Sequence, residues 1–210
     1  KDVAGTLEGY LHPEESAHLF INAMGGPAST AAGSTGSFVH SITAGNYDSA
    51  ATCASLSFNV RKGGDAGHTW RYSGGRVNQL RISAEVGEPV KISADVVFTD
   101  STQVSDNIAA ILSISTANPF TFQQGYFRYG ASETAAYTTA AANTERISSF
   151  ELTINNNLVT DKDAYELGSQ VRRVLPPTRR EVSFKIKQRF DTTTAYARFT
   201  QATASAVDLY

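Results

Sequence analysis

Apolar and polar residues alternate on both sides of Gly87-Glu88-Pro89 across residues 77–98, VNQLRISAEVGEPVKISADVVF. That pattern predicts an antiparallel hairpin with one buried face. Pairing Val86 with Val90 sets Ala84 opposite Ile92, Ile82 opposite Ala94 and Leu80 opposite Val96. The other face then holds Glu85 opposite Lys91, Ser83 opposite Ser93 and Arg81 opposite Asp95, a ladder of opposite charges that reinforces the register. Nothing on that face is reactive, which predicts a building block rather than a catalyst.

Similar alternation predicts strands at about residues 2–10, 37–43, 54–61 (through Leu56, Phe58 and Val60), 149–158 (Phe150, Leu152 and Ile154 inward) and 181–190 (Val182, Phe184 and Ile186 inward). Residues 196–201 make a last weak segment. One helix is expected. Pro13 followed by Glu14 and Glu15 reads as a helix start, Leu19, Phe20, Ala23 and Met24 form a stripe, and Gly25-Gly26-Pro27 ends it. Small polar residues at 27–37 predict a loop, and the Gly-rich stretch 62–75 predicts a turn followed by a short strand. Residues 101–148 contain an apolar run, an aromatic run and an Ala/Thr/Ser tract, and read as a long connection or insertion within one domain spanning 1–210. The fold class expected is mainly β (α+β), a sandwich with one packed helix.

Composition narrows the function more than the fold. Charged residues make up 18% of the 210, below the usual proportion of about a quarter. Such a surface suits extensive contact with other chains, because little charge must be desolvated. The formal net charge of −2 marks neither a polyanion binder nor an acidic chain. The single Cys53 excludes an intramolecular disulfide and a Cys-based metal site. No apolar run approaches the ~18 residues of a membrane span, and no secretory signal is visible.

Candidate chemistry is sparse. His12, His18, His40 and His68 are scattered without ligand spacing. No phosphate-binding or nucleophile motif occurs, so no catalytic residue, metal or cofactor is expected. The charge-dense segment carries Arg172, Arg173, Arg179, Arg180, Lys185, Lys187 and Arg189 against the single acid Glu181. It reads either as a stripe tracking phosphates or as an intersubunit face meeting Asp2, Glu8, Glu14 and Glu15 of a neighbouring copy. The absence of interleaved aromatic residues favours the second.

Taken in order, several segments resemble the major tail tube proteins of long-tailed (siphovirus-like) bacteriophages. They are the N-terminal strand and Pro-Glu-Glu helix ending in Met24-Gly25-Gly26, then Ser55–Val60, then Gly75-Arg76-Val77-Asn78-Gln79-Leu80, then the hairpin around Gly87. Glu151-Leu152-Thr153-Ile154-Asn155-Asn156-Asn157-Leu158 and Arg179-Arg180-Glu181-Val182 follow. The set covers most of the chain, while the tract at 101–144 departs from it.

The resemblance implies a tail-tube-type β-sandwich flanked by a helix, with inner strands forming a barrel shared in a hexameric ring. Rings stack into a tube that holds the tape measure protein, meets tail tip and terminator proteins, and conducts double-stranded DNA into the host without sequence specificity. It also implies a virion tail protein assembled in the host cytoplasm, with no catalysis and no membrane. On this reading the candidate lumen-facing residues are Gln79, Arg81, Ser83, Glu85, Lys91, Ser93 and Asp95, a balanced set that would not hold phosphates. The candidate intersubunit residues are the basic set above and Trp70, a possible ring-to-ring anchor or else a core residue. Two alternatives remain: the inner tube subunit of a contractile injection apparatus, and a monomeric β-sandwich carbohydrate-binding module, for which Tyr126, Phe127 and Tyr129 speak.

Overall fold

A computed structural model describes residues 3–13, 15–26, 28–32, 38–45, 55–63, 68–105, 117–125, 127–130, 147–172, 175–189 and 206–209. Eleven strands and one α-helix occur among them: β1 (Val3–Tyr10), α1 (Ala17–Met24), β2 (Ala28–Ala32), β3 (Phe38–Ile42), β4 (Leu56–Lys62), β5 (His68–Glu85), β6 (Lys91–Phe98), β7 (Asp100–Val104), β8 (Phe127–Gly130), β9 (Ile147–Asn155), β10 (Glu181–Gln188) and β11 (Ala206–Leu209). The mainly β architecture with one helix matches the sequence expectation. The principal sheet runs β1-β6-β5-β9-β10, antiparallel throughout. Two small pairs, β2 with β3 and β8 with β11, lie outside it.

β5 organises the molecule. Its 18 residues extend roughly 60 Å at about 3.3 Å each. Its C-terminal half pairs with β6 and β9. Its N-terminal half pairs with β4 and β7, forming a three-stranded arm. The sequence reading of a turn and a short strand at 62–75 is therefore corrected: the Trp70 and Tyr72 alternation continues into the hairpin strand. Gly74 permits that continuity, with φ 67° and a site where a Cβ would lie 2.0 Å from Thr99 Oγ1. Residues 28–32, read as loop, form β2 against β3.

The hairpin register also needs correction. β5 and β6 pair Ser83 with Lys91, Arg81 with Ser93 and Gln79 with Asp95, two residues away from the charge ladder expected. The cause lies in the turn. Glu88 N donates to Glu85 O across Gly87 (φ 84°). The chain then leaves the hairpin, with Pro89 bridging Thr121 and Val90 N donating to Phe120 O. Val86, expected inward, is 64% exposed. A slip of two preserves which side chains share a face, so the buried set survives.

Those buried residues form the core. Val77, Leu80, Ile82, Ala84, Ile92, Ala94, Val96, Phe98 and Ile154 face α1, whose Leu19, Phe20, Ala23 and Met24 pack on them. Burying such aliphatic side chains contributes about 1.5–3 kcal/mol each. The helix is shorter than expected. Ser16 precedes it and its Oγ accepts from His12 N, and no acidic residue lies in the first turn. Gly25, left-handed at φ 65°, ends it as predicted. A second cluster of Val97, Leu158 and Leu175 uses the opposite face of β6.

Val182 and Phe184, expected inward, correspond in register to Ile154 and Leu152 yet are 62% and 38% exposed. β10 is an edge strand, and the helix does not cover it among the described residues.

A bulge at Val77–Gln79 leaves backbone groups of β5 without ladder partners. Side chains supply them. Val77 N donates to Asn22 Oδ1 (2.7 Å), and Asn156 Nδ2 donates to Val77 O (2.9 Å) and Ala23 O (2.8 Å). Asn78 accepts from Asn156 N through its carbonyl and from Leu158 N through Oδ1. Asn22 and Asn156 are both fully enclosed. An Asn22→Ala substitution strands the Val77 N–H in the core, so denaturant unfolding of the unassembled protein should show a loss of about 1–3 kcal/mol. Ser183→Ala, on an exposed edge, should stay within about 0.5 kcal/mol.

Candidate functional site

Beyond the Val97 cluster, the face of the principal sheet opposite the core is polar from the Asp95 row to the hairpin end. Its rows read Thr6-Asp95-Gln79-Asn155-Glu181, then Glu8-Ser93-Arg81-Thr153-Ser183, then Tyr10-Lys91-Ser83-Glu151-Lys185, then Glu85-Ser149-Lys187. All seven candidate lumen residues lie on it. So do Lys185 and Lys187, which the sequence reading had placed in the separate basic group. Five carboxylates and four cations alternate across this block. Fields of opposite sign therefore cancel within a few ångströms, and a polyanion meets no coherent attraction.

Local pairs hold these charges in place. Lys185 Nζ donates to Glu151 Oε1 at 3.0 Å and Lys91 Nζ to Glu88 Oε2 at 2.5 Å. Thr6 Oγ1 donates to Asp95 Oδ1 at 2.7 Å. The hydrogen bond from Lys185, supported by the nearby Lys185 and Arg81 charges, holds the Glu151 carboxyl below its ordinary value of 4.5. The Glu88 hydrogen bond and charge hold Lys91 above 10.5. Both pairs are solvent-accessible, so each contributes little to stability.

The remaining basic residues diverge. Arg180 is engaged inside the chain: Nε donates to Asn156 Oδ1 (2.7 Å) and Nη2 to Met24 O and Gly45 O (both 2.8 Å). A cation there suits the carbonyl end of α1. Arg172 is 3% exposed; its Nε and Nη2 donate to Thr160 O, and its guanidinium lies 5.7 Å from the Tyr165 ring centroid. Arg179 and Arg189 are exposed, and Arg173 lies outside the described residues.

Trp70 sits half-buried in the arm, between Val60 on β4 and Gln103 on β7. It belongs to neither core cluster. Phe58 and Tyr72 join the core through Phe98, at centroid distances of 5.6 and 5.5 Å. Of the aromatic residues that suggested a carbohydrate site, Phe127 and Tyr129 lie on β8 paired with β11, and Tyr126 lies outside the described residues. Cys53, Asp2 and Glu14 also lie outside them, as do 106–116, 131–146 and 190–205.

Among the described residues no cluster of His, Cys, Asp and Glu could hold a metal ion. No described helix is long and apolar enough to cross a membrane. The Asn22, Asn156 and Arg180 constellation escaped the sequence reading. Its signals were an Asn inside an apolar helical stripe and three Asn at a strand end.

The Glu151 pair has a defined pH dependence. A depressed carboxyl stabilises the fold above its unfolded value, and that contribution disappears as pH falls below 4.5 and through the folded value. Carboxyl NMR titration should show the Glu151 midpoint rising toward 4.5 in Lys185→Met.

The family model described as phage tail tube protein matches residues 1–209. No curated protein matches the chain.

Proposed function

This chain belongs to the phage tail tube protein family, and on that premise we propose that six copies close into a ring and that stacked rings form a channel for double-stranded DNA. The family makes it a structural component of the virion tail and not an enzyme. The observation that carries the finer reading is the polar face of the principal sheet, with its interspersed charges. A duplex in transit must be neither held nor repelled. Each phosphate neutralised by a fixed cation adds salt-dependent adhesion, with a slope near −0.9 per contact. Here Lys185 and Lys91 are engaged by Glu151 and Glu88. We assign this face to the lumen, with Gln79, Arg81, Ser83, Glu85, Lys91, Ser93 and Asp95 lining it.

The arm of β4, β5 and β7 supplies the contact between rings, with Trp70 at its centre and Val60 exposed beside it. Arg179, Lys185, Lys187 and Arg189 serve the junction between neighbouring copies, while Arg172 and Arg180 act within the chain. The tape measure protein occupies the lumen during assembly in the host cytoplasm, and tip and terminator proteins bound the tube. A long non-contractile tail is the reading carried forward; a sheath on native particles would replace it with the contractile one.

Negative-stain microscopy of the purified protein should show rings with six-fold symmetry and tubes, and dispersed monomers at high concentration would overturn the assignment. Trp70→Ala should form rings that fail to stack; tubes with unchanged ring spacing would remove Trp70 from the stacking contact. Tubes assembled from Glu85→Lys/Glu181→Lys protein should retain duplex DNA at low salt and release it at high salt. Wild-type tubes should retain none.

A further inference from the structure

The two edges of the principal sheet are unequal. β1 pairs along its whole length with β6, yet seven of its eight residues are exposed and only Val3 is half-buried. Gly5 and Gly9 have nothing within 4 Å of where a Cβ would be, and Leu7 between them is 38% exposed. β1 is thus held by backbone hydrogen bonds and the Thr6–Asp95 hydrogen bond, with almost no side-chain burial. At Leu11 the chain becomes anchored, with Leu11 N donating to Val90 O and Phe120 N to Leu11 O. The other edge, β10, has the opposite character. It carries Val182, Phe184 and Ile186 on the core-side face, with Val182 62% and Phe184 38% exposed.

Strand direction adds a constraint. Five alternating strands place β1 and β10 pointing the same way. Closing such sheets into a rotationally symmetric ring would join β10 to the next copy's β1 in parallel. Four strands, β6-β5-β9-β10, would close with every joint antiparallel, the more stable pairing.

We propose that β1 is a removable cover on β6, and that in the assembled ring β10 of a neighbouring copy takes its place. This rests on the ring reading above and names the contact that closes it. The incoming strand exchanges the open Gly5, Leu7 and Gly9 for Val182, Phe184 and Ile186 on the core side. On the polar side it brings Lys185 and Lys187 to the edge where β6 carries Asp95. The backbone groups of β6 are satisfied in both states, so the edge is never left bare. Residues before Leu11, once released, are free to contact another copy, and the monomer is protected from premature pairing until then.

The test uses disulfides in a Cys53→Ser background. Thr6 and Asp95 are direct cross-strand partners, so Thr6→Cys/Asp95→Cys locks β1 onto β6. The oxidised protein should form no rings and should regain them on reduction; rings formed equally well by the locked protein would overturn the proposal. A second series places one thiol on β10, as Ser183→Cys or Lys185→Cys, and the other as Ser93→Cys on β6 or Glu8→Cys on β1. Within one chain Ser93 and Ser183 stand three strands apart, about 14 Å at ~4.8 Å per strand, too far to bridge. Oxidised tubes should give covalent ladders with Ser93→Cys and none with Glu8→Cys. Ladders with Glu8→Cys would show β1 still in the sheet and overturn the exchange while keeping the ring. Wild-type protein that never assembles would overturn the ring and the exchange together.

Discussion

The architecture depends on the hydrogen bonds that Asn22 and Asn156 make to the bulge in β5. At Val77–Gln79 the strand passes from one set of neighbours to another, and its amide and carbonyl groups drop out of the ladder inside an apolar core. A buried backbone group left unpaired costs about 1–3 kcal/mol, a large part of the 5–15 kcal/mol that keeps a domain folded. Asn22 reaches in from the helix and Asn156 from the end of β9, each fully enclosed. Arg180 ties Asn156 to the carbonyl end of the helix through Met24. Helix, bulge, the end of β9 and the start of β10 are therefore positioned by one polar cluster.

From that fixed frame the two faces of the sheet follow. The core side is covered by α1 over its centre, and apolar side chains remain open at β10. The other side is polar over five strands, with acids and bases alternating. For a channel, binding weakly matters more than binding selectively. Paired exposed charges add little to folding, so stability does not dictate their arrangement. The phage tail tube family to which the chain belongs is a structural one and not an enzyme family.

Much of this was legible in the chain itself. The alternation at 77–98 identified the buried and polar faces correctly, because parity along a strand is local and survives a slip of two residues. The charge partners were not legible. They depended on Pro89 and Val90 leaving the hairpin to bond with residues 121 and 120, contacts 32 and 30 positions distant. The exposure of Val182 and Phe184 was hidden for a related reason: periodicity shows which side chains share a face, not whether anything covers it. The basic run from 172 to 189 looked uniform in sequence but split three ways. Arg172 and Arg180 turned inward, Lys185 and Lys187 joined the polar face, and Arg179 and Arg189 stayed in solvent. Glycines at 63, 64, 74 and 75 suggested a turn, whereas Gly74 in fact lets one strand continue past Thr99.

That uninterrupted strand has a mechanical consequence. A load passing between the arm and the body along β5 travels through covalent bonds, and the ladders that β5 makes with β4, β6, β7 and β9 resist it in shear, with many hydrogen bonds sharing the strain at once. A load across the strands would instead open the same bonds one after another. The described sheet should accordingly resist a pull along β5 more than one across it.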